Sequence, residues 1–144
     1  FYALARQGLM RQSAKNIKLI QRDEGQSHLR IFVNMWNTLK EENPEEFTEE
    51  VLADCVEIIK EAVRYEIEWG QYIIQDGVLG LSDAVVDGFV KSLGDSILEA
   101  MDLPKVWNAK NPVPWFDDYS RVEGSKENFF EARPTNYQVG ALEW

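Results

Sequence analysis

Seven residues at helical spacing, Ile17, Ile20, Glu24, His28, Ile31, Met35 and Leu39, constrain this chain more than any other feature. Steps of three and four put all of them on one face of a helix. The apolar members point that face toward a core. The other two are a carboxylate and the only histidine in the chain. Burying either group unpaired costs several kcal/mol. A salt bridge, a hydrogen-bond network or a bound metal ion would each answer that cost. Glu/His pairs inside helical bundles recur at metal sites, and purely structural pairs are common as well. Dimetal carboxylate sites space Glu and His at i and i+3, whereas Glu24 and His28 stand at i and i+4. Both spacings share a helix face. A π-bulge absorbs one extra residue and favours functional sites. Gly25, a poor helix former, favours a local distortion here.

A chain of 144 residues is one domain or part of one. Its net charge of −10, with no basic cluster, excludes a nucleic-acid surface. The single cysteine, Cys55, supports no disulfide framework and fits a reducing, cytoplasmic setting. No apolar run is long enough to span a bilayer, so no membrane partner is expected. The first residues, Phe1-Tyr2-Ala3-Leu4, read as the middle of a helix and lack the basic start and cleavage pattern of a signal peptide. The polypeptide is therefore expected to be a piece of something larger.

Residues 1 to about 12 read as the last turns of a helix, weakened by Gly8. Ser13 is the expected cap of the next helix, which carries the stripe to about Glu41 and stops at Asn43-Pro44. Its aromatics, Phe32 and Trp36, are read as core. Thr48 caps a further helix with Glu49 and Glu50 in its first turn. Val51, Cys55, Ile58, Ala62, Val63 and Ile67 keep its period to about Ile74. Its acids, Glu57, Glu61, Glu66 and Glu68, suit a solvated face paired with Lys60 and Arg64 better than a metal site. Asp76-Gly77 marks a turn. Ser82 caps a third long helix that ends at Leu103-Pro104. No β-alternation is sustained through these residues, so the class is all-α, a bundle fragment of long antiparallel helices over residues 1–103. Residues 104–144 are richer in Pro and aromatics, too apolar for a linker. They are expected to wrap over the bundle or dock on a partner. No Gly-rich phosphate loop and no Ser/His/Asp set is present.

Several runs coincide in order and spacing. Lys15 through Glu24 lead to the histidine, and Lys40-Glu41-Glu42-Asn43-Pro44 ends that helix. Asp76-Gly77 precedes Gly80-Leu81, and Asn111-Pro112-Val113-Pro114-Trp115 follows the last helix. Asn128-Phe129-Phe130-Glu131, then Arg133, precede Tyr137. Together they resemble the small, radical-generating subunit of class I ribonucleotide reductase, along essentially the whole chain but only in that subunit's C-terminal part. The Arg22-Asp23-Glu24 run and the Asn128-to-Tyr137 tail are the specific elements.

The resemblance implies a ferritin-like helical bundle holding two metal ions, iron or manganese, through four carboxylates and two histidines. Glu24 and His28 fall at one glutamate and one histidine ligand. Asp23 falls at the aspartate that hydrogen-bonds a metal-ligating histidine and joins the radical-transfer route. Glu131 and Tyr137 fall where the tail carries radical transfer to the catalytic subunit, and the last residues fall where it anchors there. The chain departs from the family's Glu-x-x-His by one inserted residue. The remaining ligands and the radical-forming tyrosine lie upstream in the family, outside this chain. The resemblance thus implies the C-terminal half of the small subunit, working with an N-terminal half, with the large subunit, and as a dimer of the assembled small subunit. The competing readings are a related ferritin-like dimetal oxidase and a metal-free helical subunit that binds the large subunit without catalysis. The tail with Tyr137 opposes the first, and the inserted residue is the best argument for the second.

Overall fold

The computed structural model describes residues 1–116. It is a set of antiparallel helices with an extended segment laid across them: α1 (Tyr2–Arg6), α2 (Arg11–Gln21), a π-helical stretch (Arg22–Leu29), α3 (Arg30–Glu42), α4 (Glu49–Ile74) and α5 (Asp83–Ala100). Among the described residues there is no strand, only an isolated bridge between Val78 and Leu81 beside the α4–α5 turn.

Helix α1 stops where Gly8 takes φ +84°, a conformation that costs glycine little. The Gly8 and Leu9 amides then donate to the carbonyls of Ala5 and Leu4, closing a Schellman motif. Gly8 is thus the terminator of α1. The expected cap at Ser13 is not formed: α2 begins at Arg11 behind Met10, with no side-chain cap, and Ser13 lies inside the helix. The expected caps on the two long helices are present. Thr48 Oγ1 accepts from the Val51 amide and Ser82 Oγ from the Val85 amide, each at 3.3 Å.

Helices α4 and α5 pack closely because two glycines remove side chains from their contact. A Cβ on Gly94 would meet Val63 at 2.7 Å, and one on Gly70 would meet Val86 at the same distance. Near the end of α5, Leu98, Met101 and Leu103 form a core on which Val33, Trp36, Leu52, Cys55, Val56 and Ile59 pack. Leu98 is fully buried, worth about 1.5–3 kcal/mol relative to exposure. Helix α5 ends in a second Schellman motif, with Asp102 at φ +54° and the Leu103 amide donating to Leu98. Three α3 side chains fasten this end. Trp36 Nε1 donates to the Met101 carbonyl, Asn37 Nδ2 to that of Ala100, and Lys40 Nζ to the carbonyl and carboxylate of Asp102.

The segment after α5 is held by one buried carboxylate. Asp95 accepts hydrogen bonds from the amides of Val106, Trp107 and Ala109, at 2.9, 3.1 and 2.8 Å. Farther on, Phe116 packs edge-on against Tyr2 and beside Phe89, and the Arg6 guanidinium lies over the Trp115 ring. A second small core of Tyr2, Ala5 and Ala14, with Ile17, Trp115 and Phe116 around it, joins α1 and α2 to this segment.

Candidate metal centre

Helices α2 and α3 are one rod from Arg11 to Glu42, interrupted only by the π-helical turns at Arg22–Leu29. The i→i+5 bonding of a π-helix widens each turn, so an additional residue fits without breaking the rod. Gly25 sits within this stretch and has no neighbour near its absent side chain. Inside it, His28 Nδ1 and Glu24 Oε2 meet at 3.0 Å. The expected convergence of these two groups is therefore present, and it is produced on wider turns than those of an α-helix.

Apart from Ile17, half-buried against Tyr2, Ala5 and Ala14, the stripe that carries them is exposed among the described residues, contrary to its expected core position. Ile31 is 57% and Met35 58% exposed, and Ile20 and Leu39 are also exposed. Phe32, read as core, is exposed too, whereas Trp36 is half-buried against the end of α5. The reason is geometric. Helix α3 turns its Trp36–Asn37–Lys40 side to α5, and the stripe faces outward from the described residues.

Glu24 and His28 are accordingly exposed. The hydrogen bond to Glu24, and then its charge, raise the His28 pKa above the ordinary imidazole value, with a smaller push from Asp23. Asp23 is not bonded to His28; it accepts from the neighbouring Arg22 Nε at 3.1 Å. Glu131 and Tyr137 lie outside the described residues, as does the tail from residue 117 onward. The acids of α4 behave as expected of a solvated face: Glu57 pairs with Lys60, and Glu61 and Glu68 share Arg64.

A carboxylate and an imidazole converging on one point are donors suited to iron or manganese. The pair fits such a site as part of a ligand set. Among the described residues no group of three or more His, Cys, Asp and Glu is placed to hold an ion, so the pair does not make a complete site there. Binding would take the proton off His28 Nδ1 and exchange the Glu24 hydrogen bond for coordination.

Asp95 is the functional-looking acid that sequence reading passed over. It is buried, yet its carboxyl is held below the ordinary value: burial pushes it up, and the three backbone amides with nearby Lys105 more than reverse that. Within α5 it is one polar residue among several, beside Asp87, Lys91, Ser92 and Glu99, so its place in the sequence carries no signal. Its partners are all main-chain groups, which makes it an anchor for the 106–109 segment.

The family described as "Ribonucleotide reductase, small chain" matches residues 1–112. The beta subunit of ribonucleoside-diphosphate reductase from Chlamydia pneumoniae is 36% identical over 140 residues, covering 96% of this chain and 40% of that protein. The corresponding subunit from Aquifex aeolicus is 36% identical over 123 residues, covering 83% of this chain and 18% of that protein. The solved ribonucleotide reductase R2 subunit from Clostridium botulinum superposes with a TM-score of 0.81 at 37% identity, over 85% of this chain and 39% of that one. The chain thus spans two-fifths or less of the length of these relatives.

Proposed function

The chain belongs to the small-chain family of ribonucleotide reductase, an oxidoreductase family with a ferritin-like helical fold, and on that premise we propose that it is the C-terminal half of a ribonucleoside-diphosphate reductase small subunit. In this reading residues 1–103 are the bundle portion carrying part of a dimetal site, and residues 104–144 are the segment and tail that dock on the large subunit. The observation that carries it is the Glu24–His28 pair, converging at 3.0 Å on a face open to completion by another part of the subunit.

Two metal ions, iron or manganese, would supply the oxidising equivalent when bound. Glu24 and His28 would hold them from this side, the π-helical turns setting the angle between carboxylate and imidazole. Asp23, exposed and paired only with its neighbour Arg22, can swing to a metal-ligating histidine and join the transfer route. Tyr137 is the relay toward the large subunit; its phenol gives up a proton as it gives up an electron, and Glu131 assists that proton's exit. The partners are an N-terminal half, the large subunit and a second copy of the assembled small subunit, in a cytoplasmic setting. Among the described residues no helix is long and apolar enough to cross a membrane.

Metal content and turnover of the complex with the N-terminal half test this reading. Glu24→Ala and His28→Ala should each lose most bound metal, while Gln26→Ala and Ser27→Ala on the same turn keep it. Tyr137→Phe retains the ring but cannot form a phenoxyl radical. It should leave subunit affinity within about 0.5–1.5 kcal/mol, one hydrogen bond, and keep the metal, while nucleotide reduction collapses. Near-normal turnover at saturating large subunit would return Tyr137 to a docking role. A complex with the wild-type chain that takes up no iron or manganese would favour a metal-free subunit.

A further inference from the structure

Four of the chain's 15 basic residues line one cavity. Arg11, Lys15 and Lys18 stand at i, i+4 and i+7 on one face of α2, and Arg6 joins them from α1. Tyr2, Ala5 and Ala14 complete the cavity, about 400 Å³ in volume, and no acid of the described residues lines it. Like charges one helical turn apart destabilise a helix. In a chain of net charge −10, such a cluster asks for an acidic counterpart. Elsewhere among the described residues cations meet acids, as Lys40 meets Asp102 and Lys91 meets Asp87.

The described residues end at the rim of this cavity. Phe116 packs edge-on against Tyr2, ring centroids 4.8 Å apart, and the Arg6 guanidinium lies 4.9 Å from the centroid of the Trp115 ring. Tyr2 and Arg6 both line the cavity. The next two residues in the sequence are Asp117 and Asp118. We propose that the cavity seats this acidic pair, a charge clasp that starts the C-terminal segment from a fixed place on α1 and α2. Two residues span up to about 7 Å, so both carboxylates can reach the cations from an anchored Phe116. Tethering favours them over any free anion, because a group so close to an anchored ring is present at an effective concentration of about millimolar or more. The Trp115 ring already holds the Arg6 guanidinium, so little freedom is left for that side chain to lose. Exposed ion pairs are individually weak, and several in one network give such a contact measurable strength.

Carbodiimide coupling of the full wild-type chain tests the clasp, since that reagent joins a lysine amine to a carboxylate only where the two touch. Peptide mapping should find Lys15 or Lys18 joined to Asp117 or Asp118 at low salt, in a yield that falls several-fold as salt rises. In an equal mixture of ordinary and isotopically labelled chain, both ends of each product should carry the same isotope. The clasp should also slow an arginine-specific protease at Arg121, three residues beyond Asp118. Asp117→Asn with Asp118→Asn should speed that cut about threefold or more at low salt and leave it unchanged at high salt. Lys15→Gln with Lys18→Gln should do the same, and combining the two pairs should add nothing further, as expected of groups that act on each other. Circular dichroism should show the same helix content in every variant. Coupling of these lysines to other carboxylates alone, products that join two different chains, or fully additive effects of the two pairs would each overturn the clasp.

Discussion

The most consequential single residue for stability is Asp95. Its carboxylate accepts from three amides of half-buried residues, and hydrogen bonds to a charged group contribute about 1.5–3 kcal/mol each. Asp95→Ala should therefore destabilise the assembled subunit by roughly 3 kcal/mol or more. Asp95→Asn should do so by less, because one amide oxygen still accepts while the –NH2 faces a donor. Melting curves of the two variants check this order; equal stability of Asp95→Ala and wild type would remove the anchor role. The pH dependence follows in sign. The folded-state value lies below the unfolded one, so the contribution is full above the ordinary carboxylate pKa and fades as pH falls through the lowered folded value. Asp102, lowered by its hydrogen bond and ion pair with Lys40, acts in the same direction at the other end of the same loop. The Asp95→Ala penalty should accordingly shrink in strongly acidic solution.

At the scale of elements, the π-helical stretch separates α2 from α3 without changing the side each presents. Tyr2 still reaches Gln21 on α2, and Trp36, Asn37 and Lys40 on α3 still reach α5. Deleting Gly25 should let the stretch close into an ordinary α-helix with Glu and His at i and i+3, both flanks keeping their contacts. The expected result is an unchanged or higher melting temperature and retained helix content in the assembled subunit. A large loss of stability would mean that the extra residue sets the register of α3. How much of these elements was legible follows from what each depends on. Thr48, Ser82, Asp76-Gly77 and the long periods of α4 and α5 are local signals, and the elements stand where those signals put them. The π-turn was legible in the conflict between Glu24-to-His28 spacing and a glycine inside it. Ser13 misled because a hydroxyl competes poorly with the stop at Gly8, three residues before Arg11 starts α2. The Asp95 anchor has only backbone partners, which carry no residue signature. The orientation of the Ile17-to-Leu39 stripe was hidden for another reason: periodicity marks an apolar face but does not name what covers it.

Over the whole molecule, two apolar faces stand uncovered among the described residues, the stripe from Ile20 to Leu39 and the side of α4 with Ile58, Tyr65, Trp69 and Tyr72. Contiguous exposed apolar surface of this kind drives association. The isolated chain should elute above its monomer mass and bind a hydrophobic dye, and both signals should fall when the proposed N-terminal half is added. A monomeric, cooperatively melting, metal-loaded preparation of the chain alone would refute this.

The fastening of α5 by α3 has a consequence in time. Its three hydrogen-bonding side chains act across sequence separations of 62 to 65 residues. Bringing such distant segments together from an open coil is entropically costly and comes late. The α4–α5 hairpin closes through a short turn at residues 75–82 and needs no such wait. Once paired, it shortens the path that α3 must bridge from a long excursion to the few residues between Glu42 and Glu49. The hairpin is thus expected to pair first, with the rod bearing Glu24 and His28 laid on it later.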